Sequence, residues 1–270
     1  MPTSHDPHGP VRSSSQIEVS RRRALGIVGL GGLAAALALS GCQSQQSTAG
    51  AASPSSGTPS PAAVRPKTPA EALAKLKAGN ARFVAGDVVH PNQNADARHA
   101  VDEHQEPWAL VHGCIDSRES PEILFDQGLG DMFVTRTAGA VLDDTIVGSM
   151  EFGISSPYEV PILVILGHTR CGAVGATVDA VAANRENPAA PGEIIDIVNE
   201  IAPVVRRTKP LDDKDAYIDE VVRANTISVV DALLERSKII RDAVDAGRTK
   251  VVPAVYDLKT GQVTWLSGDK

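Results

Sequence analysis

The spacing of apolar residues changes along the chain and predicts two kinds of element from about residue 69 onward. In residues 70–84, the apolar Leu73, Leu76 and Phe83 recur at helical spacing between lysines and arginines, which predicts an amphipathic helix. Residues 160–166 (VPILVIL) are continuously apolar and rich in β-branched side chains. This pattern is typical of a strand that is buried on both faces of a sheet.

The same reasoning predicts an alternation of strands and helices through the rest of the chain. Strands are expected at 108–112, 132–135, 250–257 and 262–266, and helices at 121–125, 143–152, 171–183, 193–206 and 215–246. Such alternation predicts an α/β fold, with a central, mostly parallel β-sheet flanked by helices. Residues 69–270 are enough for one domain with one sizeable core.

The first 42 residues predict an export signal rather than a folded element. Three arginines at 21–23 precede an apolar, glycine-rich run at 24–39, and Leu-Ser-Gly-Cys follows at 39–42. The paired arginines indicate the twin-arginine route, and the ending resembles a lipobox, in which Cys42 would be lipidated. An uncleaved membrane helix is the alternative, but the run is short of the roughly 20 residues that a membrane span needs.

Composition separates residues 43–68 from the domain that follows. They are rich in Ser, Pro, Ala, Gly and Gln and lack bulky apolar side chains, which predicts a disordered tether. With its lipidated cysteine, the protein is expected at the outer face of the cytoplasmic membrane, held by a lipid anchor only. The net charge of −7 and the absence of a basic stripe argue against nucleic acid as a partner.

The cysteines and one histidine suggest a metal site. The chain has three cysteines, and such a small, odd number does not favour a disulfide framework. His168 and Cys171 are three residues apart after the strand at 160–166, and Cys114 follows the strand at 108–112. Two thiolates and one imidazole suit zinc, and three protein ligands leave a fourth position open for chemistry. Spacing alone also allows buried residues without a metal.

Four stretches show that the chain resembles the β-carbonic anhydrases. They are CIDSR at 114–118, FDQGLGDMFVTRTAG at 125–139, GHTRCGAV at 167–174 and VYDLKTGQV at 255–263. Cys-x-Asp-x-Arg followed at this distance by His-x-x-Cys is a highly specific combination. The resemblance runs from about residue 69 to residue 266, which is nearly the whole predicted domain.

The resemblance implies a function and a set of site residues. It implies zinc on Cys114, His168 and Cys171, which would catalyse the reversible hydration of carbon dioxide to bicarbonate and a proton. It implies that Asp116 and Arg118 form a functional pair, and that Asp116 can alternatively bind zinc as a fourth ligand. Gln105 falls where the family places a glutamine in the active-site cleft. The resemblance also implies a homodimer, often paired into a tetramer.

Several alternatives stay open at this point. Val111 stands where some members with a closed site carry a tryptophan that lines a bicarbonate site, which makes that closed state less expected here. Arg136 could help form the cleft or pair structurally. Carbonyl sulfide or carbon disulfide could be hydrolysed at the same zinc site, or the protein could be a non-enzymatic zinc-binding lipoprotein. A redox role would require a disulfide between Cys114 and Cys171.

Overall fold

The computed structural model of the protein describes residues 65–270. Residues 1–64, with the predicted export signal, Cys42 and most of the predicted tether, lie outside the described residues. The described residues begin four residues before the predicted domain boundary at residue 69. Arg65 Nη2 donates hydrogen bonds to the carbonyl oxygens of Pro107 at 2.6 Å and Tyr158 at 3.4 Å, and Pro66 is buried.

The described part of the chain contains five strands, eight α-helices and one short 3-10 helix at Ala138–Ala140. The strands are β1 (Ala109–Cys114), β2 (Met132–Thr137), β3 (Ile162–His168), β4 (Lys250–Tyr256) and β5 (Val263–Trp265). The helices are α1 (Pro69–Ala85), α2 (Ala95–Ala100), α3 (Pro121–Leu124), α4 (Asp144–Ile154), α5 (Gly172–Ala183), α6 (Ile194–Arg207), α7 (Lys214–Arg236) and α8 (Lys238–Asp245). None of these helices combines the length and the apolar character needed to cross a membrane.

The strands form one sheet in the order β2-β1-β3-β4-β5, and the predicted α/β architecture is confirmed. All neighbouring strands pair in parallel except β5, which pairs antiparallel with β4. β3 occupies the centre, and its run Ile162–Leu166 is fully buried, as continuous apolar character predicts. Helices cover both faces, so the sheet has an apolar core on each side.

The single helix predicted at 215–246 is wrong, because the structure divides it into α7 and α8 at Ser237. Ser237 has extended backbone angles (φ −105°, ψ 108°), and its hydroxyl accepts a hydrogen bond from Ile240 N–H at the start of α8. The same hydroxyl donates to Glu151 of α4 at 2.6 Å. The capping hydrogen bond of Ser237 lets the backbone leave one helix and begin the next. The contact with Glu151 holds Ser237 in this position.

Candidate metal centre

The carboxyl ends of two adjacent strands bring the three predicted ligands together. Cys114 is the last residue of β1, His168 is the last residue of β3, and Cys171 precedes the first residue of α5. Between the last two, the chain turns sharply at Arg170, whose φ of +55° lies in the left-handed region. One ligand atom from each of the three residues lies within 4.8 Å of the others, and all three residues are buried. This edge of a parallel sheet is where such folds bind ligands.

The imidazole of His168 is oriented with one nitrogen towards this centre. Its Nδ1 lies 2.9 Å from the carbonyl oxygen of Thr169, so Nδ1 carries the proton and Nε2 is left with a free lone pair. Nε2 is buried and has no hydrogen-bond partner. A buried imidazole nitrogen without a partner is costly unless a cation occupies the space in front of it. The orientation therefore fits a metal ligand.

The pKa values of the two neighbouring thiols are shifted in opposite directions. The pKa of Cys114 is lowered, because the thiol of Cys171 donates a hydrogen bond to its sulfur, and the N–H of Gly139 also approaches that sulfur at 3.3 Å. The pKa of Cys171 is raised for the same reason, with burial adding to it. A coordinated metal ion deprotonates both thiols outright. Two thiolates and one imidazole match the donors that zinc prefers.

Asp116 lies next to this centre and is held by Arg118. One carboxylate oxygen, Oδ1, accepts from the backbone N–H and from Nε of Arg118, both at 2.9 Å, and Oδ2 accepts from Nη2 at 2.7 Å. This bidentate hydrogen bond from the guanidinium holds the pKa of Asp116 well below its usual range. Asp116 Oδ2 is 3.9 Å from His168 Nε2. In this structure Asp116 therefore rests on Arg118 while facing the metal centre.

Arg136 fixes the loop that carries Cys114 and Asp116. Its Nε donates to the carbonyl oxygen of Cys114 at 2.6 Å, and its Nη2 donates to the carbonyl oxygen of Asp116 at 2.5 Å. Between these contacts, the N–H of Ile115 donates to the carbonyl oxygen of Thr137 at 3.1 Å. Of the two roles left open for Arg136, the structure shows the structural one, which is pairing with the backbone of the loop.

Glu119 is part of the site, and the sequence alone did not predict it. Its side chain is fully buried, and its Oε1 accepts the N–H of Cys114 at 3.1 Å. Its Oε2 lies 3.8 Å from His168 Nε2 and has no hydrogen-bond partner. Burial raises the pKa of Glu119 to about 8. A glutamate just before a helix start is ordinarily exposed, and only the neighbouring Gly113 hints that a side chain could lie over the strand.

Gln105 lies at the other end of the sheet from the metal centre. It lines a groove of about 420 Å³ together with His104, Leu129 and Tyr158. β1 begins after Gln105 and ends at Cys114, and six residues of strand span on the order of 16 Å or more. Within one chain, the structure therefore does not bring Gln105 to the three ligands.

Comparisons with known proteins agree with this geometry. The profile of the carbonic anhydrase family matches residues 109–263. The protein named carbonic anhydrase 2 in Mycobacterium tuberculosis is 40% identical over 194 residues, which are 72% of this chain and 91% of that protein. The carbonic anhydrase of Mycolicibacterium smegmatis is 42% identical over 197 residues, with 72% and 92% covered.

Solved structures show the same fold. The Coccomyxa β-carbonic anhydrase, solved with acetazolamide, superposes with a TM-score of 0.56 at 26% identity, over 64% of this chain and 77% of that chain. A tetrameric β-carbonic anhydrase from Sordaria macrospora superposes with a TM-score of 0.54 at 20% identity, over 62% and 83%. The second likeness shows the fold alone. Since the family profile covers more than half of the chain, the protein belongs to the β class of the carbonic anhydrases, the zinc lyases that reversibly hydrate carbon dioxide.

Proposed function

We propose that this chain hydrates carbon dioxide at the centre formed by Cys114, His168 and Cys171, with Asp116 and Arg118 as the working pair beside it. The observation that carries the assignment is the convergence of three ligand atoms within 4.8 Å at the carboxyl edge of the sheet. Zinc held by these residues would supply a Lewis acid that brings the pKa of a water molecule close to neutrality.

The residues around the ligands favour hydration chemistry over passive metal storage. Asp116 is ionised and faces the centre, so it can accept a hydrogen bond from the attacking oxygen and orient its lone pair. Arg118 fixes the plane of that carboxylate through two parallel hydrogen bonds. The side chain of Arg118 is 56% exposed, which places the pair at the mouth of the site. A stopped-flow hydration assay on zinc-loaded protein, with carbonyl sulfide tested beside carbon dioxide, decides between the two substrates.

The rate of hydration is expected to rise from pH 6 towards pH 9. Two thiolates offset the charge of a zinc ion, so this ligand set acidifies water less than three neutral histidines would. The pKa of Asp116 lies below its usual range, so this carboxylate is ionised throughout the interval and cannot produce the rise. Initial rates measured across the interval at constant ionic strength test the expectation. A rate that is flat between these limits would contradict it.

We propose further that the working enzyme contains at least two copies of the chain. β2 lies at the edge of the sheet, and its residues Met132–Thr137 are only partly buried. Beside it, Phe133 and Phe152 line an open groove of about 600 Å³, and Phe152 is 62% exposed. An uncovered sheet edge with exposed aromatic residues is typical of an association surface. A second copy is also what a substrate contact by Gln105 requires.

Replacing Phe152 by glutamate is expected to weaken this association. A charge in the groove beside β2 would have to be desolvated each time two copies meet, which is unfavourable without a partner charge. Light scattering after size-exclusion chromatography should show a shift towards the monomer at micromolar concentration. The control is Ile123→Glu, because Ile123 is similarly exposed, at 57%, but lines a different groove with Phe83 and Val88. Equal masses for the wild type and the Phe152 variant would count against the surface.

We propose that the protein is exported and anchored through Cys42, with the residues between Cys42 and the domain as a tether. The support is the order of sequence features: paired arginines, a short apolar run, the Leu-Ser-Gly-Cys ending and a Ser/Pro/Ala-rich segment. The twin-arginine route carries folded proteins. Zinc could then be loaded before Cys114 and Cys171 reach an oxidising compartment.

Replacing Cys42 by serine is expected to abolish the incorporation of a labelled fatty acid into the protein. The thiol is the group to which the lipid would be attached, and serine cannot form the same thioether. Metabolic labelling of cells, with immunoprecipitation of the domain, measures the loss. In the companion variant, Arg21 and Arg22 are both replaced by lysine, and precursor should accumulate inside the cell. Wild-type protein that takes up no label would instead support an uncleaved helix.

A further inference from the structure

We infer that Glu119 is a positioning residue of the metal centre, which holds Cys114 in place through the backbone. The inference rests on the zinc centre proposed above. Glu119 does not belong to the set of three ligands, yet no other fully buried carboxylate within residues 65–270 lies against them. One of its oxygens accepts a hydrogen bond from the N–H of Cys114, and the other faces His168 Nε2 at 3.8 Å.

The first oxygen replaces a strand partner that the sheet does not supply. β1 pairs with β3 only through Leu110, Val111 and His112, whereas its pairing with β2 continues to Cys114. The two central strands therefore part before the ligands are reached, and the N–H of Cys114 has no strand acceptor on the β3 side. Oε1 of Glu119 accepts this N–H at 3.1 Å. The carboxylate thus supplies the missing hydrogen-bond acceptor at the point where β1 and β3 separate, next to the three ligand residues.

Gly113 provides the space for this carboxylate. A Cβ atom at Gly113 would lie 2.2 Å from Glu119 Oε1, which no real contact allows. The loop also closes on itself, because the N–H of Glu119 donates to the carbonyl oxygen of Asp116 at 3.0 Å. Glu119 thereby ties the start of the Cys114–Arg118 segment to its end, and Arg136 holds the same segment from the side of β2.

The second oxygen of Glu119, Oε2, lies on the interior side of the three ligand residues. Oε2 of Glu119 and Nε2 of His168 are both buried, both lack a hydrogen-bond partner, and lie 3.8 Å apart. Asp116 Oδ2 is at a similar distance, 3.9 Å, from the same nitrogen, but its side chain is partly exposed. His168 Nε2 therefore has the carboxyl group of Glu119 on its interior side and that of Asp116 on the solvent side. Only the inner carboxylate is also bonded to the backbone of a ligand residue.

Two conservative substitutions separate the reach of this side chain from its ionisable carboxyl group. Glu119→Gln keeps the length and an acceptor oxygen, so Cys114 should stay in place and zinc affinity should stay close to that of the wild type. Glu119→Asp keeps a carboxyl group but is one methylene too short to reach the N–H of Cys114. Loss of such a supporting contact typically costs 10–100-fold in metal affinity, and we expect a loss of about that size for Glu119→Asp.

Zinc affinity is measured by competition with a chromophoric chelator, and the geometry by the thiolate-to-metal absorption of the cobalt-substituted protein. The cobalt spectrum should change in Glu119→Asp and not in Glu119→Gln. Matched controls are Glu122→Asp and Glu122→Gln, because Glu122 is a half-buried glutamate three residues further on, in α3. Should Glu119→Asp fail to fold, Gly113→Ala takes its place, since the added Cβ would displace Oε1, and the same loss of affinity is expected.

Two results would overturn the inference. One is wild-type zinc affinity and a wild-type cobalt spectrum in Glu119→Asp. The other is a loss in Glu119→Gln as large as that in Glu119→Asp, which would assign the effect to the carboxyl group itself rather than to its reach. Failure of the proposed function looks different: wild-type protein that binds zinc but does not hydrate carbon dioxide would remove the function and leave the positioning role of Glu119 intact.

Discussion

Replacing Cys171 by serine will abolish stoichiometric zinc binding and, with it, the hydration of carbon dioxide. Within residues 65–270, Cys171 is one of the three residues whose ligand atoms converge, and a serine hydroxyl does not ionise readily enough to replace a thiolate. Loss of contacts that merely support a ligand already costs about 10–100-fold in metal affinity. Removal of the ligand itself should exceed that range. Elemental analysis after dialysis and a stopped-flow assay measure the two losses.

The chain supplies a matched control for this substitution. Cys42→Ser makes the same chemical change at a cysteine that precedes the predicted domain 69–270, and in the purified protein it should leave zinc content and turnover unchanged. Cys171 is buried at the start of α5, so unfolding of the variant is checked by circular dichroism and thermal melting. A folded Cys171→Ser protein that retains one zinc ion per chain would refute the assignment of the three ligands.

Replacing Arg118 by alanine should lower kcat by about 100-fold, the scale on which positioned acid–base groups contribute. The guanidinium supplies two of the three hydrogen bonds that hold the Asp116 carboxylate, and its removal leaves only the backbone N–H of residue 118. Asp116 Oδ2 is already 3.9 Å from His168 Nε2. A freed carboxylate can turn towards the metal, bind it as a fourth ligand and block the position that the reaction needs.

This explanation can be separated from a general loss of structure. X-ray absorption at the zinc edge should show an added carboxylate oxygen in Arg118→Ala, whereas Arg118→Lys, which keeps a cation, should be affected less. Arg98→Ala serves as the control, because Arg98 is an exposed arginine of α2, away from the ligand-bearing strands. Unchanged turnover in Arg118→Ala would rule out the role of the pair. Reduced turnover without any change in coordination would rule out the closing of the site by Asp116.

The sequence was sufficient to predict the sheet from local patterns, and the three ligand residues from their spacing together with the family resemblance. The apolar, β-branched run at 160–166 indicated a buried strand, and residues at the carboxyl ends of neighbouring parallel strands, such as Cys114, meet at one edge of the sheet. The state of Asp116 could not be predicted in this way. Asp116 and Arg118 are two residues apart, but whether the carboxylate points to the guanidinium or to the metal depends on side-chain rotamers that spacing does not determine.

The features that the sequence did not reveal depend on contacts between distant parts of the chain. Ser237 interrupts a helical pattern because its hydroxyl reaches Glu151, which lies 86 residues earlier. Glu119 is buried because Gly113 leaves room for it and the N–H of Cys114 has no acceptor on the β3 side, and neither condition can be read from a glutamate in front of a proline-led helix. Gln105 was assigned to the cleft by resemblance, and its distance along β1 from the ligands shows that one chain alone is insufficient.

The contacts of Arg65 also bear on how substrate reaches the enzyme. Arg65 is fastened to the carbonyl oxygens of Pro107 and Tyr158, which precede β1 and β3, so the chain enters the domain at the amino ends of the strands. The ligands lie at the carboxyl ends of the same strands. A support attached directly at residue 65 would therefore lie at the opposite end of the strands from the ligands. Gas can diffuse in, and bicarbonate and protons can diffuse out, without crossing the zone next to the support, a useful property for immobilising the enzyme on a surface.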